Sequence, residues 1–266
     1  MWVTTLKYLS ASKPETSLRS RIRLYKKRAA EIEKYLESKP NDWGRFQSEF
    51  NQEINGIFRD LMLFEKENMA NGNEEKVYKL KSIFIEKLRK DFVKGRYLKW
   101  SLRKPFGYAG DFKIIDDIYQ NAPDTTGFER LFDNYFQMST ICNAVRNRKE
   151  DFKQIVINTI HRCANAGVRI MVLASGPCRD VFEILSNPEF KGEKNIIFDC
   201  YDADQKAIDY AGQLINGDPR VRFFKQNVVR LALKKDVEQF ISDRYDLIYS
   251  TGLFDYLDYQ VSVRLI

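Results

Sequence analysis

Histidine is almost missing from this chain: His161 is the only one in 266 residues. Cysteine is scarce as well, with four, at positions 142, 163, 178 and 200, and no two stand in C-x-x-C spacing. A zinc site of cysteine and histidine ligands is therefore not expected. Nor is a disulfide framework, so the composition reads as that of a cytoplasmic protein in a reducing compartment. No apolar run approaches the ~20 residues that a membrane span needs. The opening MWVTTLKYLSASK lacks a charged start followed by an apolar stretch, so it does not read as a signal peptide. Repeats, low-complexity tracts and long flexible linkers are absent too.

What is present suffices for a folded core. Hydrophobic residues make up 44% and aromatics 14% of the chain, a length that holds one large or two modest domains. The formal net charge is +7. Acids and bases nearly balance after residue 150, so the excess lies in the N-terminal part, densest at Arg19, Arg21, Arg23, Lys26, Lys27 and Arg28. This cluster reads as the solvated face of a helix; an anionic substrate, a membrane surface or nucleic acid are the alternatives. No aromatic interleaving or groove-reading motif supports nucleic acid.

The N-terminal part reads as helices. Ile22, Tyr25, Ala29, Ile32 and Leu36 stand at helical spacing within 16–38. Trp43, Phe46, Phe50, Ile54, Ile57, Phe58 and Leu61 form a clearer stripe over 42–67, with Asn41 or Asp42 as its expected cap. Val77, Leu80, Phe84 and Leu88 begin a third helix that Gly95 ends, and 111–120 and 128–163 are expected to be helical, with Pro123 between them. These stripes read as core. The expected organisation is an all-helical cap domain, 1–150, packed on an α/β domain, 151–266.

The α/β part starts at Val168. The apolar run Val168–Ala174 breaks into the small-residue turn Ser175-Gly176-Pro177-Cys178, an amphipathic stretch follows, and a second apolar run ends in Asp202 and Asp204. Strand, tight turn, helix, strand, acid is half of a nucleotide-binding fold. A dinucleotide site needs G-x-G-x-x-G, so that the helix can approach a pyrophosphate closely; here only Gly176 remains, between Ala174 and Cys178. An adenosine without phosphates suits the turn better. Asp202 is the acid best placed for ribose hydroxyls, and Asp204 the expected cap of the next helix. Two more strand-like runs, Val221–Val228 and Tyr245–Gly252, complete about four parallel strands alternating with helices.

These segments resemble class I S-adenosyl-L-methionine-dependent methyltransferases over roughly the last hundred residues. VLASGPCRD is similar to that family's glycine-rich first motif, CYDAD to its ribose-binding acid motif, FKQNV to its adenine-side motif and YDLIYSTGLFDYL to its fourth-strand motif. The first and third glycines are Ala174 and Cys178, and Val172 stands where the first strand often carries an acid. The resemblance implies a Rossmann-like sheet and S-adenosyl-L-methionine as cofactor. It implies cofactor contacts at Ala174, Ser175, Gly176, Pro177, Asp202, Ala203, Asn227, Val228, Ser250, Thr251 and Gly252. Upstream, Lys104–Asp111 (KPFGYAGD) before the first motif resembles a bacterial branch associated with extracellular-factor biosynthesis, whose named members are tied to 3-hydroxypalmitic acid methyl ester. In this loop Asp111 is the expected cap of the next helix, and Tyr108 is expected to line the cofactor or substrate cleft.

Methyl transfer aligns a nucleophile with the sulfonium carbon and excludes water. A carboxylate acceptor is ionised at neutral pH and needs no general base, which fits the lack of a histidine near the motifs; His161 reads as structural or exposed. An Arg or Lys of the N-terminal helical part would hold the acid. Phe254 and Tyr256 are the nearest candidates for the acceptor side, with helix-start packing as the equal alternative. The expected function is therefore a methyltransferase acting on a small, anionic or fatty acid, with no catalytic residue assigned. A non-catalytic S-adenosyl-L-methionine-binding or interaction protein is the alternative, and an NAD-type oxidoreductase the third. The family's sheet has seven strands, so the chain is expected to be C-terminally incomplete, with the fourth strand as an edge and a homodimer across that edge conceivable.

Overall fold

The computed structural model describes residues 13–108, 110–163, 166–233, 241 and 244–266. The N-terminal segment ahead of residue 13, Ala109 of the KPFGYAGD loop and the side chain of Leu88 lie outside the described residues. In chain order the elements are helices α1 (Lys13–Ser38), α2 (Gly44–Ala70), α3 (Glu74–Phe92), α4 (Arg96–Arg103), α5 (Phe112–Gln120), α6 (Gly127–Gln137) and α7 (Thr140–Arg162). Then come β1 (Val168–Leu173), α8 (Arg179–Leu185), β2 (Ile196–Asp202), α9 (Gln205–Ile215), β3 (Val221–Lys225), α10 (Val228–Ala232), β4 (Leu247–Tyr249) and α11 (Tyr259–Leu265). The chain is thus a mixed α/β protein.

It divides into two compact units: the residues up to Arg103 with Pro123–Met138, and Lys104–Ala122 with Ser139–Ile266. This differs from the single break expected at residue 150, because α5 and the whole of α7 group with the sheet. The expected helix over 128–163 is two helices. Ser139 turns extended (φ −61°, ψ 150°), and its hydroxyl accepts from Cys142 N–H at 3.4 Å to start α7. The cap expected for α2 at Asn41 or Asp42 does not form. Asp42 instead accepts from the Tyr35 hydroxyl at 2.9 Å, and a tight backbone turn starts the helix.

The helical unit is held by aromatic packing. Leu18, Tyr25, Ile32 and Leu36 of α1 meet Phe46, Phe50, Ile54 and Ile57 of α2, and Phe128, Leu131 and Phe132 of α6 close the cluster. Those α1 and α2 stripes follow the helical spacing in the sequence, with Phe58 left exposed.

The second unit is built on a four-stranded, all-parallel sheet in the order β3-β2-β1-β4. β1 pairs with β2 from Val168↔Ile196 to Leu173↔Tyr201 and with β4 from Ile170↔Leu247 to Val172↔Tyr249. β2 pairs with β3 from Phe198↔Val221 to Asp202↔Lys225. Alternation puts Val168, Ile170 and Val172, with Ile196, Phe198 and Cys200, on one face, where they pack on α7, α8 and α9. Met171, Tyr201 and Phe224 face the other way, toward Val228, Tyr245 and Leu253. Both faces of β1 are covered, which explains its apolar run from Ile170 to Leu173. The chain steps outward from β1 to β2 to β3 and returns to the opposite side of β1 for β4. The switch point, where α/β sheets bind ligands, therefore lies beyond the C-terminal ends of β1 and β4.

Candidate functional site

The turn after β1 keeps glycine-like backbone without the glycines. Ala174, Gly176 and Cys178 have φ of 51°, 54° and 51°, the left-handed region that favours glycine. The turn is fastened by Ser175 N–H to the Tyr201 carbonyl at 3.0 Å and by Cys178 N–H to the Ser175 carbonyl at 3.2 Å. Cys178 then sends its thiol inward, fully buried beside Cys200. A hydrogen bond with Cys178, and then burial, push the Cys200 thiol well above its usual range. All four cysteines are free. A Cβ on Gly176 would have no atom within 4 Å, so the backbone there faces open space.

Asp202 closes the neighbouring strand over this turn. One carboxylate oxygen accepts from Gly176 N–H and the other from Asp204 N–H, both at 2.9 Å. Ala203 N–H adds a further backbone hydrogen bond, and of the roughly four acceptor sites of a carboxylate this leaves room for a ligand. Burial raises the Asp202 carboxyl above the ordinary range, against the pull of its backbone hydrogen bonds. Asp204 caps α9 by accepting from Lys206 N–H at 2.9 Å.

The KPFGYAGD loop and α5 supply the opposite wall. Asp111, fully buried, accepts from Lys113 and Ile114 N–H at 3.0 Å each and caps α5. Asp116, also buried, receives the Arg179 guanidinium at 2.7 and 2.8 Å, the Tyr210 hydroxyl at 2.5 Å and the Gln120 amide at 2.6 Å. Burial pushes the Asp116 carboxyl up, but Arg179 and Tyr210 outweigh it and hold it below the ordinary range. Arg179 is the first residue of α8, so this pair ties α5 to the β1 turn.

Between these walls lies a cleft of about 320 Å³. Tyr108, Ala174, Ser175, Gly176, Pro177, Asp202, Thr251 and Gly252 line it, as does Tyr256. Burial, then the charges of Asp202 and Asp204, push the Tyr108 phenol up to about 12. The Tyr108 and Tyr256 rings meet edge-on, centroids 6.4 Å apart. Four expected contacts are not among the lining residues. Ala203 is exposed, and Val228 packs with Met171 and Tyr201. Asn227 accepts from Arg230 N–H at 3.0 Å, and the Ser250 hydroxyl accepts from Leu253 N–H at 3.3 Å. Phe254 is not among them either, and His161 lies on α7 with Nε2 at 2.7 Å from Glu189.

Tyr119 and Arg148 line the cleft without any local signature in the sequence, and Asp180 and Asp255 line it from within motif-like segments although neither is among the expected contacts. Asp180 follows the turn directly. It is buried, accepts from the Tyr249 hydroxyl at 2.7 Å, and is raised by burial above the usual carboxylate range. Burial also raises the Tyr119 phenol, which shares a hydrogen bond with Thr251. Arg148 reaches Asp255 at 2.7 Å.

Two buried side-chain polar atoms among the described residues have no hydrogen-bond partner: the Ser175 hydroxyl and Arg148 Nε. Both belong to the cleft lining. Buried polar groups are normally satisfied, so two orphans at one concavity make it the candidate ligand site. The chain is thus an α/β protein with a four-stranded parallel sheet and a candidate cleft at its switch point. Compared with protein-family models, curated proteins and solved structures, the chain matches none. No helix among the described residues is long and apolar enough to cross a membrane.

Proposed function

We propose that this chain binds S-adenosyl-L-methionine in the switch-point cleft and methylates the carboxylate of a small or fatty acid. The observation that carries the reading is the coupling of Asp202 to the β1 turn. A strand-end carboxylate with acceptor capacity to spare is bonded to the one glycine of a left-handed turn that opens onto the cleft. The strand order supports it, since β3-β2-β1-β4 is the first part of the Rossmann-like doubly wound order. Ala174 and Arg179 stand at the positions where a G-x-G-x-x-G dinucleotide turn has its first and third glycines, which disfavours a pyrophosphate.

In this reading Asp202 accepts from ribose hydroxyls, Ser175 supplies its unpartnered hydroxyl, and the open backbone at Gly176 admits close approach. When bound, the cofactor supplies a methyl group on a positively charged sulfur. The cleft suits a cation, since Asp202 and Asp255 line it against one lining cation, Arg148. Tyr108, Tyr119 and Tyr256 provide aromatic walls that exclude water. An ionised acceptor leaves no proton for the protein to remove.

The test is incubation with S-adenosyl-L-methionine and a series of 3-hydroxy fatty acids, read by mass spectrometry. A product 14 mass units heavier than the acid (one methyl replacing one proton), with S-adenosylhomocysteine released, is expected. Tight cofactor binding without any methylated product would favour a non-catalytic binding protein.

A further inference from the structure

We infer that Arg148 is the carboxylate receptor of the cleft and that Asp255 keeps its seat until a ligand's carboxylate displaces it. This rests on the methyl-donor reading of the cleft and names the group within it that recognises an anion.

Arg148 projects from α7 into the cleft, where it is the only cation among the lining residues. A guanidinium offers five N–H donors in a rigid fork that matches a carboxylate two-fold. Here the fork is half used. One terminal nitrogen donates to Asp255 at 2.7 Å, while Nε is buried and has no partner. The other terminal nitrogen would lie 3.6 Å from a Cβ on Gly252, so the bare backbone of the β4 loop leaves room beside it.

Asp255 is a weak holder. Its side chain is 58% exposed, against 33% for Arg148, and it sits on the short 3-10 turn Phe254–Tyr256. An exposed one-point ion pair is screened and easily exchanged. A ligand carboxylate that takes both terminal nitrogens end-on replaces Asp255 at one of them and releases it to water. The turn that carries Asp255 also carries Tyr256, whose ring meets Tyr108 edge-on. Exchange at Arg148 is thereby linked to the aromatic wall.

Two carboxylates fit this chemistry, that of the donor's amino-acid end and that of the acceptor. Equilibrium binding to the wild-type chain, Arg148→Gln and Asp255→Asn separates them. The probes are S-adenosylhomocysteine, 5′-methylthioadenosine (the same thioether nucleoside without the amino acid), 3-hydroxydecanoic acid and its methyl ester. Arg148→Gln is expected to weaken at least one carboxylate probe about tenfold or more and to leave 5′-methylthioadenosine and the ester unchanged. Loss confined to S-adenosylhomocysteine assigns the donor's carboxylate, and loss confined to the acid assigns the acceptor's. Asp255→Asn is expected to tighten the same probe several-fold, a gain that misfolding cannot produce. Unchanged affinity of both carboxylate probes for Arg148→Gln, or weaker binding to Asp255→Asn, overturns the inference. If neither adenosyl probe binds the wild-type chain, the methyl-donor reading fails, and the acid and ester pair alone decides the role of Arg148. If the acid does not bind either, both fall.

Discussion

Ala174 and Cys178 hold backbone conformations that cost an L-residue about 1–2 kcal/mol relative to glycine, yet their side chains fare differently. Ala174 is half-buried at the cleft, where its methyl group has little to pack on, whereas the Cys178 thiol fills a core position beside Cys200. Ala174→Gly is therefore expected to stabilise the protein by about 1 kcal/mol, a rise of roughly 2–4 °C in melting temperature. Cys178→Gly is expected to lower it, since a cavity in the core outweighs the relief of strain. Thermal melts of the two variants check the contrast.

Asp180 is a second residue-scale case. Its folded-state carboxyl titrates above the ordinary range, because burial disfavours the charge. The folded state then holds a proton that the unfolded state has lost, so stability falls as pH rises above the ordinary carboxylate range near 4. Asp180→Asn removes this dependence and keeps an oxygen to accept from Tyr249. The stability of the variant relative to wild type is expected to be smallest near pH 4 and to grow as pH rises above the ordinary carboxylate range. A flat difference across that range would show that Asp180 is ionised in the fold.

At the scale of elements, the Asp116–Arg179 pair joins α5 to α8 and with them the two walls of the cleft. Removing the cation leaves a buried carboxyl without its partner, so Arg179→Met is expected to cost about 3–5 kcal/mol at neutral pH. Asp116 titrates low in the fold, so its contribution is present above the ordinary carboxylate range and fades as pH falls through the lowered folded value. The cost of Arg179→Met should shrink in the same direction, as denaturant melts across pH would show.

Local pattern made the main elements legible: the stripes of α1 and α2, the four strand-like runs, and the acids that cap α5 and α9. The break at Ser139 was not legible, because the apolar spacing runs on through Phe136, Met138 and Ile141 while the chain passes from one unit to the other. The candidate site divides in the same way. The β1 turn, Asp202 and Tyr108 announce themselves by residue type and spacing. Arg148 and Tyr119 reach the cleft only through the packing of α7 and α5, which no short stretch of sequence records. Asn227 and Ser250 have motif-like neighbours, but their side chains hydrogen-bond nearby backbone.

At the scale of the molecule, the unit carrying the sheet holds the cleft with both orphaned polar atoms, and the helical unit has an aromatic core of its own. The central claim is that the cleft takes an adenosyl ligand without phosphates. A ligand that binds only the folded state raises its stability by RT ln(1 + [L]/Kd), about 2.7 kcal/mol at a hundred times Kd. Thermal unfolding with saturating S-adenosylhomocysteine, S-adenosyl-L-methionine or NAD, on wild type and on Asp202→Ala, measures this directly. A clear rise in melting temperature is expected with the first two ligands, none with NAD, and most of the rise lost in Asp202→Ala. Stabilisation by NAD alone, or an equal rise in Asp202→Ala, would contradict the claim.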